Sequence, residues 1–344
     1  MFDGQKFLVY NKTNMKTKVM KASIRALVVF GKIIRRGEIA AFPTETVYGL
    51  GGDATNSFAV EKIFKAKGRP SDNPLIVHLG SKFRIKKYVE TISPLEREII
   101  KKFMPGPISL VLKKNELISS LVTAGGNTVA IRIPECKLAR RLINFSRRPI
   151  CAPSANTSKR PSPTVAAHVL EDLNGKIPLI VDGGQTEVGI ESTVVKVQDG
   201  KVYILRPGKI SKEDLEKKLN VEVIEKAGGA VVESPGVKYA HYMPKCRMVL
   251  AGENDFEKVK NFYNSAVSSG KSVVIFCKNS DLEKFKGLNC VGLGEDSVDA
   301  SHNLFKALRD YEENDLIIAL KITNGTMAAG LYNRMSKAAR GEEI

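Results

Sequence analysis

The sequence contains no tryptophan, only four histidines and only five cysteines among its 344 residues. The cysteines are widely spaced and odd in number, and no two of them form a Cys-x-x-Cys pair: Cys136, Cys151, Cys246, Cys277 and Cys290. This pattern argues against a disulfide framework and against a cysteine zinc site. It favours a reducing compartment, so we expect a cytoplasmic protein.

Long apolar runs are missing as well. No stretch reaches the roughly 18 apolar residues that a membrane-spanning helix needs, and the N-terminus has no apolar segment of the secretory type. Hydrophobic residues nevertheless make up 43% of the chain. We therefore expect no membrane span and, from the length, two globular domains that each bury their own core.

The signatures of common nucleotide-binding and hydrolytic sites are also absent. The sequence has no Gly-x-x-x-x-Gly-Lys-Ser/Thr loop, no Gly-x-Gly-x-x-Gly after a strand, no His-Glu-x-x-His and no Gly-x-Ser-x-Gly. A nucleotide would have to be bound by a site of another design.

The charge is strongly positive, with a formal net charge of +17. Such a field attracts polyanions, including RNA and nucleotide phosphates. The lysines are scattered along the whole chain and form no single stripe, so the charge is compatible with weak tRNA or RNA binding but does not establish it.

Between residues 20 and 230, short β-rich runs alternate irregularly with helical ones. Strands are predicted at 39–42, 75–78, 110–113, 129–133, 150–152, 179–181, 192–197 and 202–205. Helices are predicted at 23–36, 57–65, 94–103, 137–145 and 164–173. The last two strands flank Asp199-Gly200, which predicts a hairpin. This mixture indicates an α/β fold with a twisted mixed sheet, preceded by an extension, residues 1–17, whose composition is typical of a frayed tail.

Residues 231–245 contain two prolines and a glycine without a hydrophobic period, which predicts a linker after the domain 18–230. Tyr239, His241 and Tyr242 make it unlike an idle linker, so we expect it to dock onto another surface. From residue 246 to 344 strands (247–250, 272–276, 290–293, 315–322) alternate with helices (255–266, 301–311, 326–340). This pattern predicts a small Rossmann-like, three-layer α/β domain.

The most informative segment begins where the first of these strands ends, with Pro-Thr-Glu-Thr-Val-Tyr-Gly-Leu-Gly-Gly-Asp-Ala at residues 43–54. Its glycines allow backbone amides to turn inward, as anion-binding loops require, and the hydroxyls of Thr44 and Thr46 suit a small polar substrate. An ordinary structural turn is an equally good interpretation of the glycines.

A basic loop follows, Lys-Gly-Arg-Pro-Ser-Asp-Asn-Pro at residues 67–74. Lys67, Arg69 and Ser71 lie beside rigid prolines before a strand that ends at His78, an arrangement that suits a triphosphate clamp. A solvated basic loop is the alternative.

Two later segments add polar side chains. Arg132 lies within an apolar strand, where it is either half of a structural ion pair or the partner of a substrate carboxylate. Ser154 and Asn156 follow another strand and suit phosphate or ribose, although such residues also build turns and caps. Ser192 and Arg206 provide a further hydroxyl and a further cation.

In this order the segments resemble the YrdC-like family in its long, two-domain form of threonylcarbamoyl-adenylate synthases. The resemblance rests on Pro-Thr-Glu-Thr-Val-Tyr-Gly-Leu, Lys-x-Arg-Pro-x-x-Asn-Pro-Leu, Ser-x-Asn and Ser-Pro-Gly-x-x-Tyr-x-His-Tyr-x-Pro, which together are highly specific. It implies that L-threonine, bicarbonate and ATP with Mg2+ give threonylcarbamoyl-AMP and pyrophosphate. A downstream tRNA threonylcarbamoyl transferase would use the product to modify the adenosine beside the anticodon.

The resemblance also implies site residues. Those expected around ATP are Lys67, Arg69, Ser71, Thr128, Ser154, Asn156, Arg160, Arg206 and Tyr242. Those expected around threonine are Thr44, His78, Arg132 and Ser192, with Arg132 on the carboxylate. No protein ligand for a metal and no covalent nucleophile is implied, and the linker would close over the site as a lid.

Two other interpretations compete. A double-stranded RNA or tRNA-binding module of the same fold would not need a tyrosine-bearing lid over a small pocket. A carbamoyl transferase subdomain of the hydrogenase-maturation type would carry Cys-x-x-Cys pairs, and none is present. The role of the C-terminal domain stays open between binding a ligand, docking a partner and bracing the lid.

Overall fold

The computed structural model of the chain describes residues 15–225 and 241–344. Most of the predicted extension and of the predicted linker, Tyr239 included, lies outside these residues. Thr17 belongs to the folded domain and not to a frayed tail, because it is buried and its hydroxyl donates a 2.7 Å hydrogen bond to the carbonyl of Ile177. No helix in the described part is long and apolar enough to span a membrane.

The N-terminal domain, residues 15–225, is built on one mixed sheet. Its strands are β1 (Lys18–Lys21), β2 (Ala40–Pro43), β3 (Tyr48–Asp53), β4 (Ile76–His78), β5 (Ile108–Lys113), β6 (Thr128–Arg132), β7 (Ile150–Cys151), β8 (Leu179–Asp182), β9 (Thr193–Gln198), β10 (Lys201–Arg206) and β11 (Val223–Glu225). Its α-helices are α1 (Ile24–Arg35), α2 (Ser57–Lys67), α3 (Pro94–Phe103), α4 (Lys137–Ser146), α5 (Ala166–Leu173) and α6 (Lys212–Leu219). The strand order is β1-β8-β2-β3-β7-β4-β6-β5-β9-β10-β11.

The sheet contains both parallel and antiparallel strand pairs, which confirms the predicted mixed architecture. The predicted hairpin is confirmed too: β9 and β10 pair antiparallel around a two-residue turn. Asp199 and Gly200 both have positive φ, as a tight turn matched to strand twist requires.

Neither of the two interpretations left open for the glycines after Pro43, a binding loop or an ordinary turn, holds for residues 48–53. These residues form β3, which pairs antiparallel with β2. Gly51 is required by close packing, because a side-chain carbon there would lie 2.7 Å from Ile150 and 2.8 Å from Phe42. The turn itself is confined to Thr44–Val47, where the Thr44 amide donates to the Val47 carbonyl.

One helix was missed although the sequence carries its signal. The side chain of Ser211 accepts from the amide of Asp214, and the Asp214 carboxylate accepts from the amide of Ser211, which forms a capping box at the start of α6. Ser-x-x-Asp before a Leu-containing run is the pattern that predicts it.

The C-terminal domain contains β12 (Arg247–Ala251), α7 (Phe256–Ser268), β13 (Val273–Cys277), β14 (Cys290–Gly292), α8 (Ser297–Asp310), β15 (Leu316–Leu320) and α9 (Ala328–Ala338). The four strands are parallel in the order β12-β15-β13-β14. One face of the sheet packs on α8 and α9 and the other on α7, which confirms the predicted three layers. Helix α8 begins four residues before its predicted start, because the Asp296 side chain caps the amides of Val298 and Asp299.

The two domains share a hydrophobic core. Val47, Val188 and Ile190 of the N-terminal domain lie in one buried cluster with the α8 and α9 side chains. Gly189 has φ +82°, and a side-chain carbon there would collide with the backbone of Ser301 and His302 in α8. The C-terminal domain is therefore packed directly on the segment that leads to Ser192.

Candidate active site

One pocket brings together side chains from segments that are far apart in the sequence. It lies where the Thr44–Val47 turn, β4, β6 and the segments around Ser154, Ser192 and Arg206 converge. Its lining residues are Thr44, Thr46, Val47, Gly49, Arg69, Ile76, His78, Arg132, Ala152, Pro153, Ser154, Glu191, Ser192, Arg206, His241 and Tyr242. All four predicted threonine-binding residues are among them, as are four of the nine predicted around ATP.

Sheet register places two of these residues side by side. Strands β4 and β6 pair parallel with His78 opposite Arg132, so both side chains reach the same end of the sheet. The β2–β3 turn presents Thr44, whose hydroxyl donates to the Val47 carbonyl at 2.7 Å and lies 2.9 Å from the Thr46 hydroxyl. These hydroxyls form a polar rim beside the arginine.

Arg132 has a partner that the sequence did not reveal. Its Nη2 lies 2.7 Å from the Glu45 carboxylate, and each residue is only 3% exposed. The contact is an ion pair that departs from hydrogen-bond alignment, and Arg132 Nε has no acceptor within the described residues. The ion-pair interpretation of Arg132 is thus confirmed, and its role on a substrate carboxylate stays a prediction.

His78 is neutral at physiological pH. Burial is the main reason that its pKa is lowered to about 3, and the charge of Arg132 acts in the same direction. Its Nδ1 has no hydrogen-bond partner among the residues that the structure describes. A neutral imidazole beside an arginine can donate or accept one hydrogen bond without adding charge.

Ser192 and Arg206 form a second polar corner. The Arg206 guanidinium donates to the Ser192 carbonyl at 2.8 Å and to its hydroxyl at 3.2 Å, and this hydroxyl lies 2.9 Å from that of Ser109. Burial lowers the pKa of Arg206 to about 10, so the group keeps its charge at neutral pH.

The predicted phosphate clamp is only partly assembled. Arg69 lines the pocket and donates to the carbonyls of Asn73 and Pro74. Lys67 is the last residue of α2 and lies behind the pocket, where its ammonium donates to the carbonyls of Ser154 and Asn156. Burial, together with the charge of Arg69, holds the pKa of Lys67 well below its usual value. Lys67 therefore holds the loop at residues 154–156 in place and does not present its ammonium to the pocket.

Ser71 lies on an exposed part of the loop and does not line the pocket.

Ser154 and Asn156 are linked to each other. The Ser154 hydroxyl donates to the side-chain oxygen of Asn156, and the Asn156 amide donates to the carbonyls of Thr157 and Arg160. Ser154 lines the pocket, whereas the side chain of Asn156 is buried beneath it. Asn156 thus holds the loop that presents Ser154.

Two residues predicted around ATP lie elsewhere. Thr128 begins β6, opposite Lys113, and is four residues or about 13 Å from Arg132 along the strand. Arg160 forms ion pairs with Glu171, Asp172 and Glu312. Arg160 therefore links the two domains and does not face the pocket.

The described end of the predicted linker reaches the pocket. Tyr242 is buried with φ +67°, and its ring lies 5.1 Å from that of Phe305 in α8. Burial and the nearby Glu191 raise its pKa to about 12. His241, beside it, is held neutral by burial, which lowers its pKa to about 3.

Sequence reasoning missed the acidic residues of the site, Glu45 and Glu191. Both were part of quoted motifs, but nothing in a single sequence says which cation each carboxylate meets. Within the described ranges, no cluster of three or more histidine, cysteine, aspartate or glutamate side chains is arranged to hold a metal ion.

Comparison with known families accounts for both domains. A profile described as telomere recombination, which groups the Sua5, YciO and YrdC proteins, matches residues 32–208. A profile described as threonylcarbamoyl-AMP synthase, C-terminal domain, matches residues 210–340.

Curated relatives resemble the chain over most of its length. It is 38% identical to a threonylcarbamoyl-AMP synthase of Pyrococcus abyssi over 336 residues, which cover 95% of this chain and 96% of that protein. It is 39% identical to the enzyme of that name in Bacillus subtilis over 320 residues, which cover 91% and 92%.

Solved structures agree. The crystal structure of Pyrococcus abyssi Sua5 complexed with L-threonine superposes with a TM-score of 0.90 at 36% identity, covering 95% of this chain and 99% of the other. A variant of the same protein, in which an adjacent histidine and tyrosine are replaced by alanine, superposes with a TM-score of 0.89 over 95% and 98%.

Proposed function

We propose that this chain, which belongs to the Sua5/YciO/YrdC family, makes threonylcarbamoyl-AMP and pyrophosphate from L-threonine, bicarbonate and ATP. The named relatives at 38% and 39% identity support this activity. The observation that carries the proposal is the convergence of Thr44, His78, Arg132 and Ser192 in one pocket with Arg69, Ser154 and Arg206.

The residues divide the pocket into two ends. At one end the guanidinium of Arg132, whose Nε has no acceptor among the described residues, receives the threonine carboxylate, while Thr44, His78 and Ser192 hold the other polar groups of threonine. At the other end Arg69 and Arg206 receive phosphate oxygens, beside Ser154 and the ring of Tyr242. Lys67 and Asn156 support this end from behind, through the Ser154 loop.

The chemistry suits such a site. The threonine amine captures CO2 as a carbamate, and a carbamate oxygen attacks the α-phosphorus of ATP and expels pyrophosphate. The protein contributes positioning, positive charge and exclusion of water, and no covalent nucleophile is needed. Mg2+ bound to the nucleotide would supply neutralisation of phosphate charge, and we assign it no side-chain ligand.

His241 and Tyr242 form the part of the proposed lid that the structure describes. An adjacent histidine and tyrosine were replaced together in the Pyrococcus abyssi variant, and this chain has such a pair against its pocket. In the proposal they close over the adenylate and keep water from it.

The product would pass to a tRNA threonylcarbamoyl transferase in the cytoplasm, so tight binding of tRNA by this chain is not required. The test is incubation of the purified protein with ATP, Mg2+, bicarbonate and labelled threonine. We expect threonine-dependent pyrophosphate release and a labelled adenylate. Pyrophosphate release that is the same without threonine would contradict the proposal.

A further inference from the structure

The C-terminal domain places one arginine against Glu191, a residue that lines the pocket. Arg334 lies in α9 and is fully buried. Its Nε donates a 3.0 Å hydrogen bond to the carboxylate of Glu191, a residue of the pocket lining. The other carboxylate oxygen of Glu191 accepts from the hydroxyl of Ser162.

The same guanidinium also holds the backbone on both sides of the polar corner. Nη1 donates to the Pro207 carbonyl at 2.5 Å, and Nη2 donates to the Glu191 carbonyl at 3.3 Å. Pro207 directly follows Arg206, and Glu191 directly precedes Ser192. One side chain therefore fixes the two segments that carry the pocket's Ser192 and Arg206.

Arg334 reaches Tyr242 as well. Its guanidinium carbon lies 5.7 Å from the centre of the Tyr242 ring, within the range of a cation–π contact. The ring of Phe305 in α8 lies 5.1 Å from that of Tyr242. The C-terminal domain thus provides two of the contacts of the Tyr242 ring.

The electrostatics show why an arginine is needed here. Burial by itself would raise the pKa of Glu191, but the charges of Arg334 and Arg206 hold it at about 2. Glu191 is therefore an anion next to the site where phosphates are proposed to bind. Without Arg334 this buried negative charge would oppose an anionic substrate.

We propose that Arg334 is a positioning residue of the active site, acting through Glu191 and Pro207, so that substrate affinity of the N-terminal domain depends on the C-terminal domain. The inference rests on the proposed function, since it concerns binding of threonine and ATP in the same pocket.

A matched control is available at the same domain interface. Arg309 of α8 is also buried, and it donates to Asp172 at 2.8 Å and to the Pro161 carbonyl. Unlike Glu191, neither Asp172 nor Pro161 lines the pocket, and the loss of Arg309 leaves Asp172 paired with Arg160. Arg309→Met therefore removes a buried arginine between the domains without touching the polar corner.

The experiment compares Arg334→Met, Arg334→Lys and Arg309→Met with the unchanged chain. Calorimetry measures binding of threonine and of a non-hydrolysable ATP analogue, steady-state kinetics measure KM and kcat, and thermal unfolding measures the loss of stability. For Arg334→Met we expect KM for ATP to rise about ten-fold or more, as small displacements of positioning groups produce. Arg334→Lys should have a KM for ATP between those of Arg334→Met and the unchanged chain. Arg309→Met should lower the midpoint temperature of unfolding, while its KM for ATP stays close to that of the unchanged chain.

A further variant guards against simple unfolding. Glu191→Gln combined with Arg334→Met removes the unpaired charge, so it should fold, yet its KM should stay raised because the Pro207 and Glu191 carbonyls lose their donor. Original affinity in either Arg334→Met variant, or equal losses in Arg334→Met and Arg309→Met, would overturn the inference. If the unchanged chain binds neither threonine nor the ATP analogue, the proposed function itself fails, which is a separate result.

Discussion

Replacing Arg132 by alanine should destabilise the protein as well as weaken threonine binding. The side chain is 3% exposed and lies 2.7 Å from the equally buried carboxylate of Glu45. Removing one member of such a pair leaves an uncompensated buried charge, which costs about 3–5 kcal/mol. We expect Arg132→Ala to lower the free energy of unfolding by this amount at pH 7.5.

This loss should depend on pH. Burial favours the neutral form of Glu45, but Arg132 outweighs it and lowers the pKa of the carboxyl below 4.5. The pair's contribution is therefore present above pH 4.5 and is lost as the pH falls through the lowered pKa. In Arg132→Ala the pKa of Glu45 rises instead, and protonation at low pH relieves the unpaired charge. The difference in stability between the two proteins should shrink as the pH falls from 7.5 towards 4.

The assay is urea unfolding followed by circular dichroism at several pH values, with calorimetry of threonine and of an ATP analogue on the folded variants. Arg247→Ala is the control, because Arg247 forms an exposed pair with Glu342 at 2.8 Å and should cost under about 1 kcal/mol. In Glu45→Gln with Arg132→Gln no charge is stranded, so this double variant should recover most of the stability while threonine binding stays lost.

A loss of under about 1 kcal/mol for Arg132→Ala, or one that does not change with pH, would refute the account of the buried pair. Equal loss of threonine and nucleotide binding in the folded double variant would mean that Arg132 shapes the pocket and does not bind the carboxylate.

Three further outcomes are expected. Lys67→Met should lower the free energy of unfolding by about 1–3 kcal/mol, because the Ser154 and Asn156 carbonyls lose their buried donor, and it should raise KM for ATP; unchanged values in urea unfolding and kinetics would contradict this. Burial lowers the pKa of His78 to about 3, so the contribution of neutral His78 to stability is fully present above pH 6.5 and is lost as the pH falls towards 3, by up to about 1.4 kcal/mol per pH unit. His78→Asn should therefore flatten the pH dependence of the free energy of unfolding over that interval. Tyr242→Phe should keep KM for ATP close to that of the unchanged chain and Tyr242→Ala should raise it, because only alanine removes the ring that packs on Phe305. Both substitutions keep a side chain at φ +67°, so an equal rise in KM would mean that the hydroxyl matters and not the ring.

The family, the reaction class and the fold class could be predicted from local patterns. Contiguous motifs such as Lys-x-Arg-Pro specify the family, and the profile matches and relatives confirm that resemblance. Hydrophobic periodicity predicted most helices and strands, because the spacing of apolar residues along a short segment reflects which face of that segment is buried. The hairpin at Asp199-Gly200 followed from two residues that tolerate positive φ.

The same local patterns misplaced some elements. The strand Tyr48–Asp53 was missed because its glycines favour a turn interpretation. Only the tertiary structure shows that Ile150 and Phe42 pack too closely on Gly51 to leave room for a side chain. Ser71 was grouped with the site from the residues of its loop and Thr128 through the resemblance, although neither lines the pocket.

Composition, period and motif spacing are properties of neighbouring residues, and for this chain they determined two α/β domains, while the resemblance of the motifs to a known family implied the threonylcarbamoyl-AMP chemistry. Charge pairing is decided by distance in space. Only the tertiary structure put Glu45 against Arg132 and brought Arg334 from the far end of the chain to Glu191, because burial makes each of these charges require a partner that sequence order does not identify.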